Sequence, residues 1–130
     1  MKALFLALIP ASAMALTPAD IKADKKVGAL DSIKFCVKLG PAIRGKDETY
    51  RAAMLRRAAR SEGITNAMQG AINVREPVLG MNLCAVLAAF GHPTRTNRSV
   101  TRHGEDWQFV YEQPRRYIYM VNDKVTAWQD

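Results

Sequence analysis

The apolar residues change their spacing once along this chain, near Arg95, and that change dictates its fold class. Before it they recur every three or four residues, as amphipathic helices require; after it they alternate in short runs broken by turn residues. Helical periodicity first and short linked strands last define an α+β chain, with N-terminal helices packed on a C-terminal antiparallel β-meander of three to four strands.

Start and stop signals place the elements. Thr17-Pro18-Ala19-Asp20 supplies a cap, a proline for the first helical position and an acid to close a capping box, which predicts a short, loosely held helix. Asp31 to Leu39 fits two readings: Ile33, Phe35, Val37 and Leu39 alternate as in a strand, while Asp31 is a fair cap and Ile33, Cys36 and Val37 share a helical face. The helix is the preferred reading, and Gly40-Pro41 is expected to end the element in either case. Asp47 to Arg60 is an amphipathic helix with acids at its start, Arg56, Arg57 and Arg60 toward its end, and Gly63 beyond. Thr65 caps a short helix that Glu76-Pro77 stops, and Asn82 caps one that runs through Phe90, with Gly91 and Pro93 past its end. The strands follow as Thr96 to Thr101, Trp107 to Tyr111, Arg116 to Val121 and Lys124 to Trp128. His103 to Asp106 forms the first turn, and Asn122-Asp123 is a two-residue hairpin turn. Ile118 and Met120 face one side of the sheet, Tyr117, Tyr119 and Val121 the other.

The N-terminus sets the compartment. Lys2 is a short positive region, Ala3 to Ile9 an apolar run that Pro10 ends, and Ala13-Met14-Ala15 a small-residue cleavage box, so residues 1 to 15 read as a signal peptide cleaved after Ala15. An ordinary N-terminal helix is the competing reading. Seven apolar residues are too few for a membrane span, which takes about 20, and no cysteine lies close enough behind them to take a lipid. The mature chain, residues 16 to 130, is therefore expected free in the periplasm or outside the cell. It is long enough for one domain: a helical extension over 16 to 77 joined to a helix and meander over 78 to 130. The two cysteines, Cys36 and Cys84, are expected to pair, since an even count in an exported chain most often does; two buried thiols or a catalytic thiol are the alternatives, and no neighbouring base favours the last.

The charge is +7, from 19 Lys and Arg against 12 Asp and Glu. Outside the cytoplasm such a balance points to an envelope protein or an anionic envelope component as partner and not to nucleic acid; solubility alone is the plainer explanation. Arg95, Arg98, Arg102, Arg115 and Arg116 are interleaved with Trp107, Tyr111 and Tyr117 on the meander. Arginine and aromatic residues carry much of the energy of interfaces, so these eight form the candidate binding surface; protection of sheet edges is the alternative. His92, His103, Glu105 and Asp106 lack metal-ligand spacing, and no Gly-x-Ser-x-Gly elbow occurs. No metal, cofactor or catalytic residue is expected, and the chain reads as a non-enzyme.

Gly80-Met81-Asn82, then Val86, Phe90, Gly91 and Pro93, then a meander bearing Trp107, Val110, Tyr111, Tyr117, Tyr119, Asn122 and Val125, resembles the small helix-plus-sheet domain of outer-membrane lipoproteins of the SmpA/OmlA type. The repeat unit of secreted β-lactamase inhibitor proteins resembles the same fold. The resemblance spans roughly Val78 to Gln129 and implies a scaffold that binds proteins of the envelope, or alternatively an inhibitor of an exported enzyme. Asn82 stands where that pattern has Ser or Thr, Ala85 where it commonly has an acid, and the lipid-bearing cysteine is missing.

Overall fold

The computed structural model describes residues 15–130; the expected signal peptide, apart from Ala15, lies outside the described residues. Five helices come first: α1 (Pro18–Gly28), α2 (Ser32–Arg44), α3 (Glu48–Ser61), α4 (Asn66–Val74) and α5 (Leu83–Phe90). Four strands follow: β1 (Arg95–Thr101), β2 (Gly104–Glu112), β3 (Arg115–Val121) and β4 (Lys124–Gln129). They form one antiparallel sheet in the order β1-β2-β3-β4, which is the α+β arrangement expected from the change of period.

Every described helix starts on a side-chain cap, because the first N–H groups of a helix have no partner within it. Thr17, Asp31, Asp47, Thr65 and Asn82 each accept a hydrogen bond from the backbone N–H three residues on. Thr17 and Asp20 complete the capping box. Asn122 and Asp123 close the β3–β4 hairpin with positive φ of 48° and 64°, as the tight turn demands.

α5 is buried from Cys84 to Ala89, so it is apolar all round and sits inside the molecule. The inward residues of α2, among them Phe35, Leu39 and Ile43, join it, and Phe109, Ile118, Met120 and Val125 complete one continuous core from the sheet side. The segment before α5 runs along β4: Gly80 N–H donates to the Val125 carbonyl at 2.8 Å and Val125 N–H to the Met81 carbonyl at 2.9 Å. Met81 is thereby held in the core, fully buried.

Three expectations are corrected. Gly40-Pro41 does not end α2, which continues to Arg44 with Pro41 inside it. The interior proline forfeits a helical hydrogen bond, at a cost of about 3 kcal/mol; burial of Ala42 and Ile43 and a bond of 2.9 Å from the Arg44 guanidinium to the Ile72 carbonyl offset it. Gly40 is there for a close approach: a Cβ at this position would collide with the backbone carbonyl of Ala88 on α5. Nor is α1 loosely held. Val27 is buried, Asp24 accepts from Arg56 at 2.7 Å, and Arg57 donates to the carbonyls of Val27 (2.8 Å) and Leu30 (2.7 Å) while stacking on Phe35. Finally, β2 starts at Gly104 and not at Trp107, because Glu105 and Asp106 pair with Val100 and Val121 and the first turn shrinks to Arg102-His103.

Candidate binding site

The sheet register divides the eight predicted binding residues. Arg98 lies opposite Trp107 and Arg116 opposite Tyr111, and alternation puts these four on the face that carries Phe109 and Ile118, toward the helices. Arg95, Arg115 and Tyr117 belong to the outer face, and Arg102 to the β1–β2 turn. The outer face is a polar ladder. Asn97 donates to Gln108 at 2.8 Å, Gln108 to the Tyr119 hydroxyl at 3.4 Å, and that hydroxyl to Gln129 at 2.9 Å, so side-chain hydrogen bonds cross all four strands.

On the helix-facing side two environments result. Near α5, Tyr111 is buried against Phe90 and donates its hydroxyl to the Gly91 carbonyl at 2.9 Å. Burial pushes its phenol above the ordinary tyrosine range. Arg116 lies over the Phe90 ring, is paired with Asp130 and lies 3.8 Å from Glu76, its side chain only 14% exposed. Tyr111 and Arg116 thus fasten the sheet to the helices.

The other environment is open. All seven residues of β1 are exposed, so this edge strand extends past the helical layer. Arg98 lies over the Trp107 ring and pairs with Glu105 at 2.6 Å. Glu105 also accepts from the Trp107 indole N–H. The hydrogen bond from Arg98, then that from Trp107, holds the Glu105 carboxyl below its usual range, and the bond to Glu105 raises the Arg98 guanidinium. Val100 on the same face is 68% exposed. Of the eight residues singled out by the sequence reading, Arg98 and Trp107 are thus in contact, and Arg102 lies in the turn that follows β1.

A cleft of about 490 Å³, between α2, the α4–α5 connection, the end of α5 and the β2–β3 turn, escaped it. Its floor carries Val37, Pro41, Leu87 and Phe90, and Arg44 and Arg75 line it beside Arg116. Burial, then the charge of Arg75, pulls the Arg44 guanidinium below its usual value. No local motif signals such a place, because its walls come from segments far apart in sequence.

No protein-family model, curated protein or solved structure matches this chain.

Ligand-type side chains converge in one trio among the described residues, Cys36, Glu62 and Cys84. There both sulfurs are joined in a disulfide between α2 and α5, as the cysteine count led us to expect, and offer no thiolate to a metal. His92 and His103 are set at opposite ends of β1, which separates them. No described helix is long and apolar enough to cross a membrane.

Proposed function

We propose that this chain is an exported, non-enzymatic binding protein of the bacterial envelope that engages an envelope protein or an anionic envelope component along the β1 edge. One observation carries the reading. β1 is exposed over its whole length, with Arg98 stacked on Trp107 and Val100 beside them, so an arginine, an apolar side chain and the uncovered part of a ring that otherwise packs on the core are left facing outward. An exposed edge strand can also accept a partner strand through its unpaired backbone groups. The leader-like sequence of residues 1 to 15 and the disulfide support export, since disulfides persist in oxidising compartments. The likeness of residues 78 to 129 to SmpA/OmlA-type domains supports a scaffold role in the envelope.

Affinity capture from an envelope extract tests this. The protein should retain a defined partner, and the double variant R98E/R102E should lose it while still unfolding in one cooperative transition, because both side chains are exposed. Equal recovery by the variant overturns the reading. Recovery of one exported hydrolase, with loss of its activity on binding, replaces it with the inhibitor that the β-lactamase inhibitor resemblance implies.

A further inference from the structure

From the cleft we infer a second binding site, distinct from the β1 edge, that takes a small molecule with an apolar body and a single carboxylate. A volume of about 490 Å³ lies in the range of small-molecule pockets, which combine apolar walls with a few fixed polar groups. The division of labour is visible in the lining. Val37, Pro41, Leu87 and Phe90 provide the apolar surface, while Arg44 and Arg75 approach from α2 and from the end of α4.

The two cations differ from the other arginines near the cleft. Arg116 already has carboxylate partners in Asp130 and Glu76. Arg44 is part-buried and bonded to a neutral carbonyl, that of Ile72, and neither Arg44 nor Arg75 makes an ion pair among the described residues. Both line the same cleft, as does the exposed Glu76, and after burial the charge of Arg75 disfavours the charged form of Arg44. A ligand anion between them would remove that repulsion and supply the charge-assisted bonds both guanidinia lack. Arg75 also occupies the left-handed region, φ 57°, at a helix end where glycine is the usual residue. A side chain kept in a conformation that costs about 1 kcal/mol or more marks a position with work to do.

A carboxylate suits the place better than a phosphate. Arg44 is partly withdrawn from water, and stripping a doubly charged group of its hydration costs more than stripping a singly charged one. The apolar floor then takes the body of the ligand, with the Tyr111 hydroxyl engaged to Gly91 and so not exposed to it as an unmet donor.

Titration of the disulfide-bonded protein with 4-phenylbutyrate, 4-phenylbutanol and 4-phenylbutyl phosphate, followed by two-dimensional amide NMR, tests this. Saturable shifts confined to the amides of Val37, Leu87, Phe90 and Gln113 are expected with the carboxylate, and at least tenfold weaker binding with the alcohol. Arg75→Gly removes a cation while relieving its backbone, so it should fold at least as well as the parent and bind the carboxylate about tenfold more weakly. Equal affinity for alcohol and acid, no loss in Arg75→Gly, or shifts scattered over the surface would each overturn the site. Tighter binding of the phosphate would overturn the choice of carboxylate. None of these outcomes depends on a partner at β1, so this site and the edge-strand reading stand or fall separately.

Discussion

Single residues explain how this chain departs from a generic helix-and-sheet pattern. Asn82 caps α5 through its side-chain oxygen, accepting from Ala85 N–H at 2.9 Å, while its amide group donates to the carbonyls of Glu62 (3.0 Å) and Gly63 (3.2 Å). Serine would cap equally well, but its hydroxyl carries a single donor on the capping atom itself, against the two donors of the separate Asn82 amide nitrogen. Ala85 leaves the capping box without its acid, while Asp123, from the β3–β4 turn, satisfies another N–H of the same helix start, accepting from Leu83 at 2.8 Å. Two glycines make opposite predictions. Gly40→Ala drives a methyl into the Ala88 backbone and should cost about 1–3 kcal/mol. Gly70→Ala, within α4 with open space around it, should stabilise by about 0.5–1 kcal/mol; urea denaturation measures both. Tyr111 gives a pH dependence. Its folded-state pKa is raised, so its contribution is intact below about pH 10, the ordinary phenol value, and is lost as pH rises beyond it, when only the unfolded chain gives up the proton. Stability should fall above pH 10 by up to about 1.4 kcal/mol per unit from this group. Denaturation curves at pH 9 to 11 should show a shallower fall in Tyr111→Phe, with Tyr50, also raised by burial and then Asp47, supplying part of the remainder.

At the scale of elements, the pairing of α2 with α5 organises the molecule. Cys36 and Gly40 lie one turn apart on α2, and so do Cys84 and Ala88 on α5; the disulfide and the glycine contact therefore occupy the same seam. The bridge spans 48 residues, for which restriction of the unfolded chain gives a stabilisation of about 4 kcal/mol. The variant C36A/C84A should be less stable by that amount in denaturant unfolding, and the unreduced, unfolded parent should titrate no free thiol. The arginines of α3 show why helix-level reasoning falls short. Arg56 and Arg57 fit the macrodipole expectation by position, yet their contacts are tertiary, one to Asp24 and the other to the end of α1 and the turn after it.

Across the whole molecule the positive charge is not where the candidate arginines are. Residues 16 to 77 hold twelve Lys and Arg against seven Asp and Glu, while residues 78 to 130 hold six against five, so the excess belongs to the helical extension. An interface at β1 would then rest on Arg98 and Arg102 individually and not on a basic field. Arg116 is the contrasting case. Its guanidinium is shielded between Phe90, Asp130 and Glu76. Arg116→Glu, which sets like charges side by side where the arginine side chain is only 14% exposed, should lower the melting temperature clearly, whereas Arg98→Glu, which breaks an exposed pair with Glu105, should lower it much less. Thermal denaturation of the two variants separates the residue that holds the sheet from the one available to a partner.

What the sequence by itself determined is local. Four of the five caps, the two periods and the Asn122-Asp123 turn were legible because each rests on residues close together in the chain, and the cysteine pair was legible by count. The survival of α2 through Pro41, the firm seat of α1, the division of the arginines between two faces and the meeting of Arg44 with Arg75 were decided only by the tertiary structure. Each depends on which distant segments share a volume, and energy gained across such contacts outweighs the local preference of any one residue.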